Sequence, residues 1–311
     1  MATVELDELL DSLTDRVKIE FSSMPDIENG GSEIDLSKLP IEARRWVRID
    51  DVVAVVADLK NSTGLGTGSQ RAASTASIYE AAVNPIVHVY DSFDADAIEI
   101  QGDGAFAVFW GDSRYERAMC AGITVKTFSE SIFEPRLETK WPDLVDLATG
   151  YKVGIASSRI LVKRVGLPRT DIQEEVWAGK AVNYATKAAQ SADRRELVVT
   201  GTVWDEIETN DYIAFSCGCN GGPSDSIWQD IEITKLSEDE PDRFGRKLTA
   251  KWCKNCGPSF CEAIMQGETA RVDTEQLRTD SWKSAAEGIL RAKAAKERQD
   301  RRNLRRARTG R

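Results

Sequence analysis

The chain has 311 residues, and its 41% hydrophobic content is enough to form one large domain, or one domain with an appendage. The formal net charge is −10, yet the stretch 291–311 alone carries ten Lys and Arg against Glu297 and Asp300. The rest of the chain therefore has a net charge of about −18, which argues against nucleic-acid binding by the main body. The only histidine is His88, which we expect to be structural, so Ser-His-Asp hydrolases and His-rich metal centres have almost no raw material in this chain.

The N-terminal region is expected to be a helix followed by a connector. Residues 1–22 place apolar side chains such as Leu9, Leu13 and Val17 at helical spacing, which predicts an amphipathic helix for packing or dimerisation. Residues 23–40 contain Pro and Gly and predict a loose connector. There is no basic leader or apolar run of membrane-spanning length, so we expect a soluble cytosolic protein.

The next segment predicts a buried strand that ends in a carboxylate. Six apolar residues, 52–57, precede Asp58, and the turn formers 61–64 follow, including Ser62 and Thr63. Their backbone N–H groups are suited to form an anion-binding loop. About forty residues later, two apolar runs flank Gly102-Asp103-Gly104, which predicts a β-hairpin with Asp103 at its tip.

If this hairpin lies beside the first strand, Asp58 and Asp103 converge. Two carboxylates beside an amide-rich turn suit a hard divalent cation that carries phosphates. Each aspartate taken alone is more often a cap or a turn former, so the hypothesis depends on the pair.

The remaining elements predict an α+β fold. Residues 69–93 predict a long helix with Pro85 as a kink or break, and Ser113 is a candidate N-cap for the helix that follows the hairpin. Residues 151–165 predict a strand, or two strands, and 179–189 and 196–200 predict a helix and a short strand. This order predicts helices covering a mainly antiparallel sheet.

Asn183 and Lys187 are four residues apart and therefore share one face of the predicted helix over 179–189. An exposed polar helix face is the simplest interpretation of this pair alone. Together with the segments around Asp58 and Asp103, however, the stretch 179–187 resembles the signature segments of class III nucleotide cyclases, in the same order and spacing over residues about 50 to 200.

The resemblance implies a cyclase catalytic domain and a reaction that turns a nucleoside triphosphate into a 3′,5′-cyclic nucleotide and diphosphate. It assigns Asp58 and Asp103, with the Leu59 carbonyl, to two Mg²⁺ or Mn²⁺ ions, one activating the 3′-hydroxyl and one gathering the triphosphate. It assigns the backbone around Ser62 and Thr63 to the β- and γ-phosphates.

The same resemblance assigns Asn183 to the ribose and Lys187 to the α-phosphate. Lys187 stands where the family has Arg, which keeps a cation but loses the bidentate fork. The family usually shares each site between two protomers, so the resemblance also implies a homodimer.

The residues at the base-contact positions depart from the purine pattern. Glu99 stands where adenylate cyclases commonly have Lys, and Val176 stands near their base-contacting Asp. With the cysteine-bearing appendage, this resembles the pyrimidine cyclases of Pycsar antiphage systems, whose cyclic UMP or cyclic CMP activates a separate effector. UTP is favoured over CTP; the alternatives are an adenylate or guanylate cyclase and a cyclase-like regulatory module without catalysis.

Five cysteines follow the predicted catalytic domain. Cys217 and Cys219 form one close pair, Cys253 and Cys256 form another, and Cys261 follows. Four thiolates from two tight turns suit structural Zn²⁺, with reduced core thiols as the alternative, and Cys261 leaves the ligand set open. Cys120 is expected to be a buried thiol.

We expect four segments: an N-terminal helix and connector (1–45), the catalytic domain (46–210), a cysteine-rich zinc-knuckle-like appendage (211–270) and a basic helical tail (271–311). The tail is basic enough to contact nucleic acid or anionic lipid, but a solvated helical extension is the more common structure for such a sequence.

Overall fold

The computed structural model describes residues 4–31, 34–36, 39, 44–65, 72–167, 170, 172–225, 227–278 and 289–309. The chain divides into two compact units. The larger contains residues 50–160 and 179–311, and the smaller contains 1–49 and 161–178.

The strands in the described residues are β1 (Asp26–Asn29), β2 (Arg45–Lys60), β3 (Ala97–Gln101), β4 (Gly104–Phe109), β5 (Gly150–Gly166), β6 (Gln173–Gly179), β7 (Leu197–Val199), β8 (Trp228–Glu232) and β9 (Phe244–Leu248). In the larger unit the strand order is β3-β4-β2-β5-β7-β9-β8. The pairs β2 with β4, β3 with β4, β7 with β9 and β8 with β9 are antiparallel, while β5 and β7 are parallel. The strand β2 is central, which explains its uninterrupted apolar run.

The helices in the described residues are α1 (Leu6–Ser22), α2 (Ser62–Leu65), α3 (Ala72–Ser92), α4 (Arg114–Phe128), α5 (Glu134–Lys140), α6 (Lys180–Ser191), α7 (Gly201–Ile207), α8 (Asp211–Ala214), α9 (Gly257–Met265) and the C-terminal helix (Ile289–Thr309). A π-helical turn, Ser129–Phe133, joins α4 to α5, and short 3₁₀ turns occur at Pro142–Leu147, Gly218–Asn220, Pro241–Arg243 and Val272–Thr274. The α3 and α4 helices bury apolar faces in the same core as β2, β4 and β5. The expected α+β architecture, a sheet covered by helices, is confirmed.

Three local features decide details that the sequence predictions left open. Pro85 lies inside α3 without breaking it, since Val83 and Ile86 on either side are buried and hold the helix on the core. The two serines at 157–158 do not interrupt β5, which is a single strand. Ser113 occupies the N-cap position of α4, as predicted, but it has a left-handed φ of 50° and its side chain makes no capping hydrogen bond.

The smaller unit contains α1 and two strand pairs. The β1 strand runs parallel to the first residues of β2, from Asp26 opposite Arg45 to Asn29 opposite Arg48, and β6 pairs with β5. The α1 helix is amphipathic, as predicted, but it has no buried residue. None of the helices in the described parts of the chain is both long and apolar enough to cross a bilayer.

The C-terminal helix is packed against the rest of the larger unit rather than extended into solvent. Arg298 is 6% exposed, and it forms a two-pronged pair with Asp205, at 2.7 and 3.2 Å, and donates to the Pro241 carbonyl at 2.9 Å. Arg302 pairs with Glu206 at 3.3 Å. The positive charge of this helix is therefore matched by the acidic body.

Candidate functional site

The strand register brings Asp58 and Asp103 to one edge of the sheet. Ala57 of β2 pairs with Ala105 of β4, so Asp58 follows directly at the turn that joins β3 to β4. Asp103 occupies this turn, which closes where Gln101 faces Gly104. The 39% exposed side chain of Asp58 and the half-buried Asp103 both remain accessible to a ligand.

Gly104 permits this close approach. A Cβ at this position would lie 2.4 Å from the Ala57 carbonyl oxygen and 3.5 Å from the Asp58 Cα. No other residue type fits there unless the hairpin moves away from β2. Gly102 has a φ of 63°, which a glycine adopts without strain, and so turns the chain before Asp103.

Tyr151, at the start of β5, lies close to both aspartates. Its side chain is fully buried, and its hydroxyl donates to the Asp103 carbonyl at 3.4 Å. Burial raises the pKa of this phenol, and the negative charges of Asp103 and Asp58 raise it further. The phenol is therefore neutral, and the effect of both aspartates on its pKa shows that their carboxylates lie near it.

Lys152 is a site residue that the sequence analysis missed. Its Nζ lies 2.5 Å from the Oδ2 of Asp58, and its side chain is mostly buried. Arg159 of the same strand pairs with Asp50, at the opposite end of that stretch of β2, so the two strands run antiparallel. The sequence shows a basic residue, Lys152, at the start of a predicted strand. It does not show which strand lies beside it or in which register.

The chain after Asp58 forms a tight turn and one helical turn. Asn61 has a φ of 59° and donates from its side chain to the Leu147 carbonyl at 2.5 Å. Ser62 and Thr63 open α2, and first-turn N–H groups of a helix have no intrahelical acceptor. The Leu59 side chain is buried in the core, so only its backbone carbonyl is available to the site.

Asn183 and Lys187 lie together on α6, with Asn183 exposed and Lys187 half-buried. The helix packs closely on β5 at Gly154, where a Cβ would lie 2.0 Å from the Ala185 carbonyl oxygen and 2.3 Å from the Ala189 nitrogen. No hydrogen bond or ion pair between described residues joins this pair to Asp58 and Asp103.

The two residues at the expected base-contact positions lie on different strands. Glu99 is in β3 of the larger unit, opposite Phe106 of β4, and is half-buried. Val176 is in β6 of the smaller unit, where Arg164 and Glu175 form an ion pair at 3.4 Å.

Four cysteines form a compact thiol cluster in the larger unit: Cys217, Cys219, Cys253 and Cys256. Their sulfur atoms all lie within 4.8 Å of one another. Hydrogen bonds from the backbone amides of Cys256 and Asn255 lower the pKa of Cys253 to about 6. Cys261 lies outside the cluster and faces Cys120, whose buried thiol has its pKa raised by that contact. The geometry therefore selects four of the five cysteines.

The thiol cluster is attached to the catalytic core through α4. The backbone N–H of Trp252 donates to Thr127 and its indole N–H donates to Thr124, both at 3.0 Å. Lys251 pairs with Glu130 at 3.0 Å. These contacts place the cysteine-bearing segment on the helix that covers the central strands.

No protein-family model matches the chain. Among solved structures, the adenylyl cyclase CyaB of P. aeruginosa is 13% identical with a TM-score of 0.48, over 68% of this chain and 98% of that one. A uridylate cyclase of Micromonospora echinofusca is 51% identical over 301 residues, which is 97% of both chains. A uridylate cyclase of Propioniciclava tarda is 46% identical over 94% of both chains. The resemblance to nucleotide cyclases is confirmed, and the chain belongs to the family of the uridylate cyclases.

Proposed function

We propose that this protein converts UTP to 3′,5′-cyclic UMP and diphosphate. The observation that carries the proposal is the convergence of Asp58 and Asp103 on one tight turn, in a chain 51% identical over 97% of its length to a protein named uridylate cyclase. In this reaction the ribose 3′-oxygen forms a bond to the α-phosphorus, the bond from that phosphorus to the diphosphate oxygen breaks, and the hydroxyl proton is lost.

The carboxylates of Asp58 and Asp103, with the Leu59 carbonyl, offer only oxygen donors, which fits Mg²⁺ or Mn²⁺. Two such ions, when bound, would lower the pKa of the 3′-hydroxyl and neutralise charge on the triphosphate. The buried side chain of Tyr151 and the fixed turn at Gly104 support this use of the site, because a two-metal site needs preorganised ligands.

Positive groups around the carboxylates suit the triphosphate. The Lys152 ammonium is held at Asp58, where it adds a cation beside the phosphates. Ser62 and Thr63 begin α2 directly after β2, and their amides are proposed to contact the β- and γ-phosphates. These residues of the chain bind and orient the substrate, so that the 3′-oxygen lies in line with the leaving diphosphate.

We further propose a homodimer in which α6 of one protomer faces the carboxylate pair of its partner. The exposure of Asn183, which leaves its amide available to a partner protomer, supports this arrangement. Asn183 would then orient the ribose and Lys187 would balance charge on the α-phosphate. Glu99 and Val176 are proposed to contact the uracil base.

The product is proposed to be a signal in antiphage defence, acting in the cytoplasm on a separate effector, as in Pycsar systems. The support is the family assignment together with base-contact residues that differ from the purine pattern.

The thiol cluster is proposed to bind a structural Zn²⁺ ion. In a tetrahedral site with Zn–S bonds of about 2.3 Å, the sulfur atoms lie about 3.8 Å apart. The Sγ atoms of Cys219 and Cys256 are 3.7 Å apart, close to this value. Gly221 and Gly222 have φ values of 113° and 112°, which only glycine adopts readily, and they allow the first pair to turn tightly. Four protein thiolates leave no open position for catalysis.

The test is product identification with purified protein, Mn²⁺ and each of UTP, CTP, ATP and GTP in separate reactions, read by mass spectrometry. Cyclic UMP is expected, and Asp103→Ala is expected to abolish it while the control Asp91→Ala, an exposed carboxylate on α3, retains it. Cyclic CMP would correct the base, a cyclic purine would remove the pyrimidine assignment, and activity in Asp103→Ala would refute the site.

A further inference from the structure

The buried carboxylate of Glu240 joins α6 to the C-terminal helix. Glu240 is 7% exposed, and its Oε2 accepts from Lys180 at 2.6 Å and from the Tyr184 hydroxyl at 2.8 Å. Its Oε1 accepts from Arg301 of the C-terminal helix at 3.0 Å. One carboxylate therefore holds three side chains from two helices.

The α6 partners of Glu240 flank the residues proposed for catalysis. Lys180 and Tyr184 are one turn apart on α6, and Tyr184 is adjacent to Asn183. The Lys187 Nζ lies 5.7 Å from the centroid of the Tyr184 ring, within cation–π range. The carboxylate thus fixes the hydroxyl end of a side chain whose ring supports Lys187.

The charge on Glu240 is stable in this position. Burial alone raises the pKa of its carboxyl, but hydrogen bonds from Lys180 and Tyr184 and the charges of Lys180 and Arg301 outweigh burial and lower the pKa. A buried carboxylate that loses one of its cations is left partly uncompensated, and its remaining contacts rearrange.

The Arg301 end of the network is itself fixed. Arg298, one turn earlier on the C-terminal helix, is buried against Asp205 and donates to the carbonyl of Pro241, the residue after Glu240. The helix therefore holds both the Glu240 side chain and the adjoining backbone.

We infer that Glu240 is a positioning residue, and that the C-terminal helix, through Arg301 and Glu240, sets the orientation in which α6 presents Asn183 and Lys187. This inference rests on the proposed function, since it concerns the proposed catalytic pair. The basic C-terminal helix then supports the active site structurally, in addition to any effect of its charge on solubility.

The first measurement is hydrogen–deuterium exchange of the α6 amides in full-length protein, which needs no turnover. Glu240→Gln and Arg301→Gln are expected to raise the exchange rates over 180–191 at least threefold. Arg301→Lys, which keeps the charge, is expected to restore protection. The matched control is Arg308→Gln, which removes an exposed cation two turns further along the same helix and leaves Glu240 untouched. Unchanged exchange in both Gln variants, or an equal rise in the control, would overturn the inference.

The second measurement is kinetic. Glu240→Gln is expected to lower kcat roughly tenfold to a hundredfold, as for a misplaced catalytic group, while the Mn²⁺ requirement stays the same. In a Lys187→Ala background the same substitution should have a much smaller effect. Effects that simply multiply, to within about twofold, would show independence and refute action through Lys187. If the wild-type protein forms no cyclic product but α6 exchange responds as expected, the proposed function fails while the contact with the C-terminal helix stands.

Discussion

Replacing Gly104 by Ala is the sharpest perturbation of the proposed metal site, because it adds one methyl group without touching a charged residue. The new Cβ would lie 2.4 Å from the Ala57 carbonyl oxygen, where ordinary contact begins at 3.4 Å. The hairpin must therefore move about 1 Å from β2, and Asp103 moves with it.

The magnitude follows from this displacement. Inserting a methyl group into a packed contact typically costs about 1–3 kcal/mol of unfolding free energy. Mg²⁺ requires oxygen ligands at about 2.0–2.1 Å in near-octahedral geometry, so a 1 Å shift of one carboxylate disrupts a shared site. We expect kcat to fall by roughly 100-fold, which is the typical effect of such a misplacement.

Gly102→Ala is the matched control in the same turn. A Cβ there meets nothing within 4 Å, but the φ of 63° strains any other residue, so about 1 kcal/mol of stability is lost with no push on β2. Urea unfolding and steady-state turnover of UTP with Mn²⁺ measure both effects. A folded Gly104→Ala variant with kcat within about threefold of wild type, or an equal loss of kcat in Gly102→Ala, would refute the reasoning.

Three further predictions concern pH, metal and the C-terminal helix. Burial raises the pKa of the three tyrosines that are buried in the described part of the chain: Tyr90, Tyr115 and Tyr151. Their contribution to stability is therefore complete below the ordinary tyrosine pKa of about 10 and is lost as pH rises above it, so Tm measured from pH 8 to 11 should fall steeply above 10; a flat profile would contradict this. Purified protein should contain one Zn²⁺ per chain. Cys253→Ser should lose the zinc and have a lower Tm, whereas Cys261→Ser should retain it. Equal zinc content in both variants would refute the four-thiol site. Arg298→Gln should lower the free energy of unfolding by about 3–5 kcal/mol, because it leaves the Asp205 carboxylate buried without its cation. Replacing both partners by apolar side chains, in the double variant Arg298→Met with Asp205→Leu, should recover much of that loss. Urea unfolding measures both variants, and a loss below about 1 kcal/mol in Arg298→Gln would mean that the pair is not buried in solution.

The geometry of the carboxylate pair was predictable because its signals are local. A run of apolar residues that stops at Asp58 predicts a strand end, and Gly102-Asp103-Gly104 predicts a hairpin tip. If the hairpin is also assumed to pair with that strand, Asp58 and Asp103 come together. The structure has this pairing, with Ala57 of β2 opposite Ala105 of β4. The spacing of Asn183 and Lys187 on one helix face is equally local. The roles of these residues remain predictions.

The other parts of the site depend on contacts between distant segments. Lys152 reaches Asp58 only because β5 lies beside β2 in one register, and no local pattern specifies that neighbour. The strands β6, β8 and β9 are short and partly exposed, so they lack the apolar run that identified β2. The docking of the C-terminal helix depends on charge pairs with carboxylates that look like ordinary surface residues in the sequence.

The pairing of Arg298 with Asp205, 93 residues earlier, has a consequence for the order of events during synthesis. Domains begin to form from the N-terminal side as the chain leaves the ribosome. The sheet, α6 and Glu240 are all translated before Arg298 and Arg301 exist. A nascent chain therefore holds its acidic surface without the helix that compensates it, and folding is completed only when this late segment emerges. A chain that ends before that point would contain the sheet and the carboxylate pair but would leave α6 without this support.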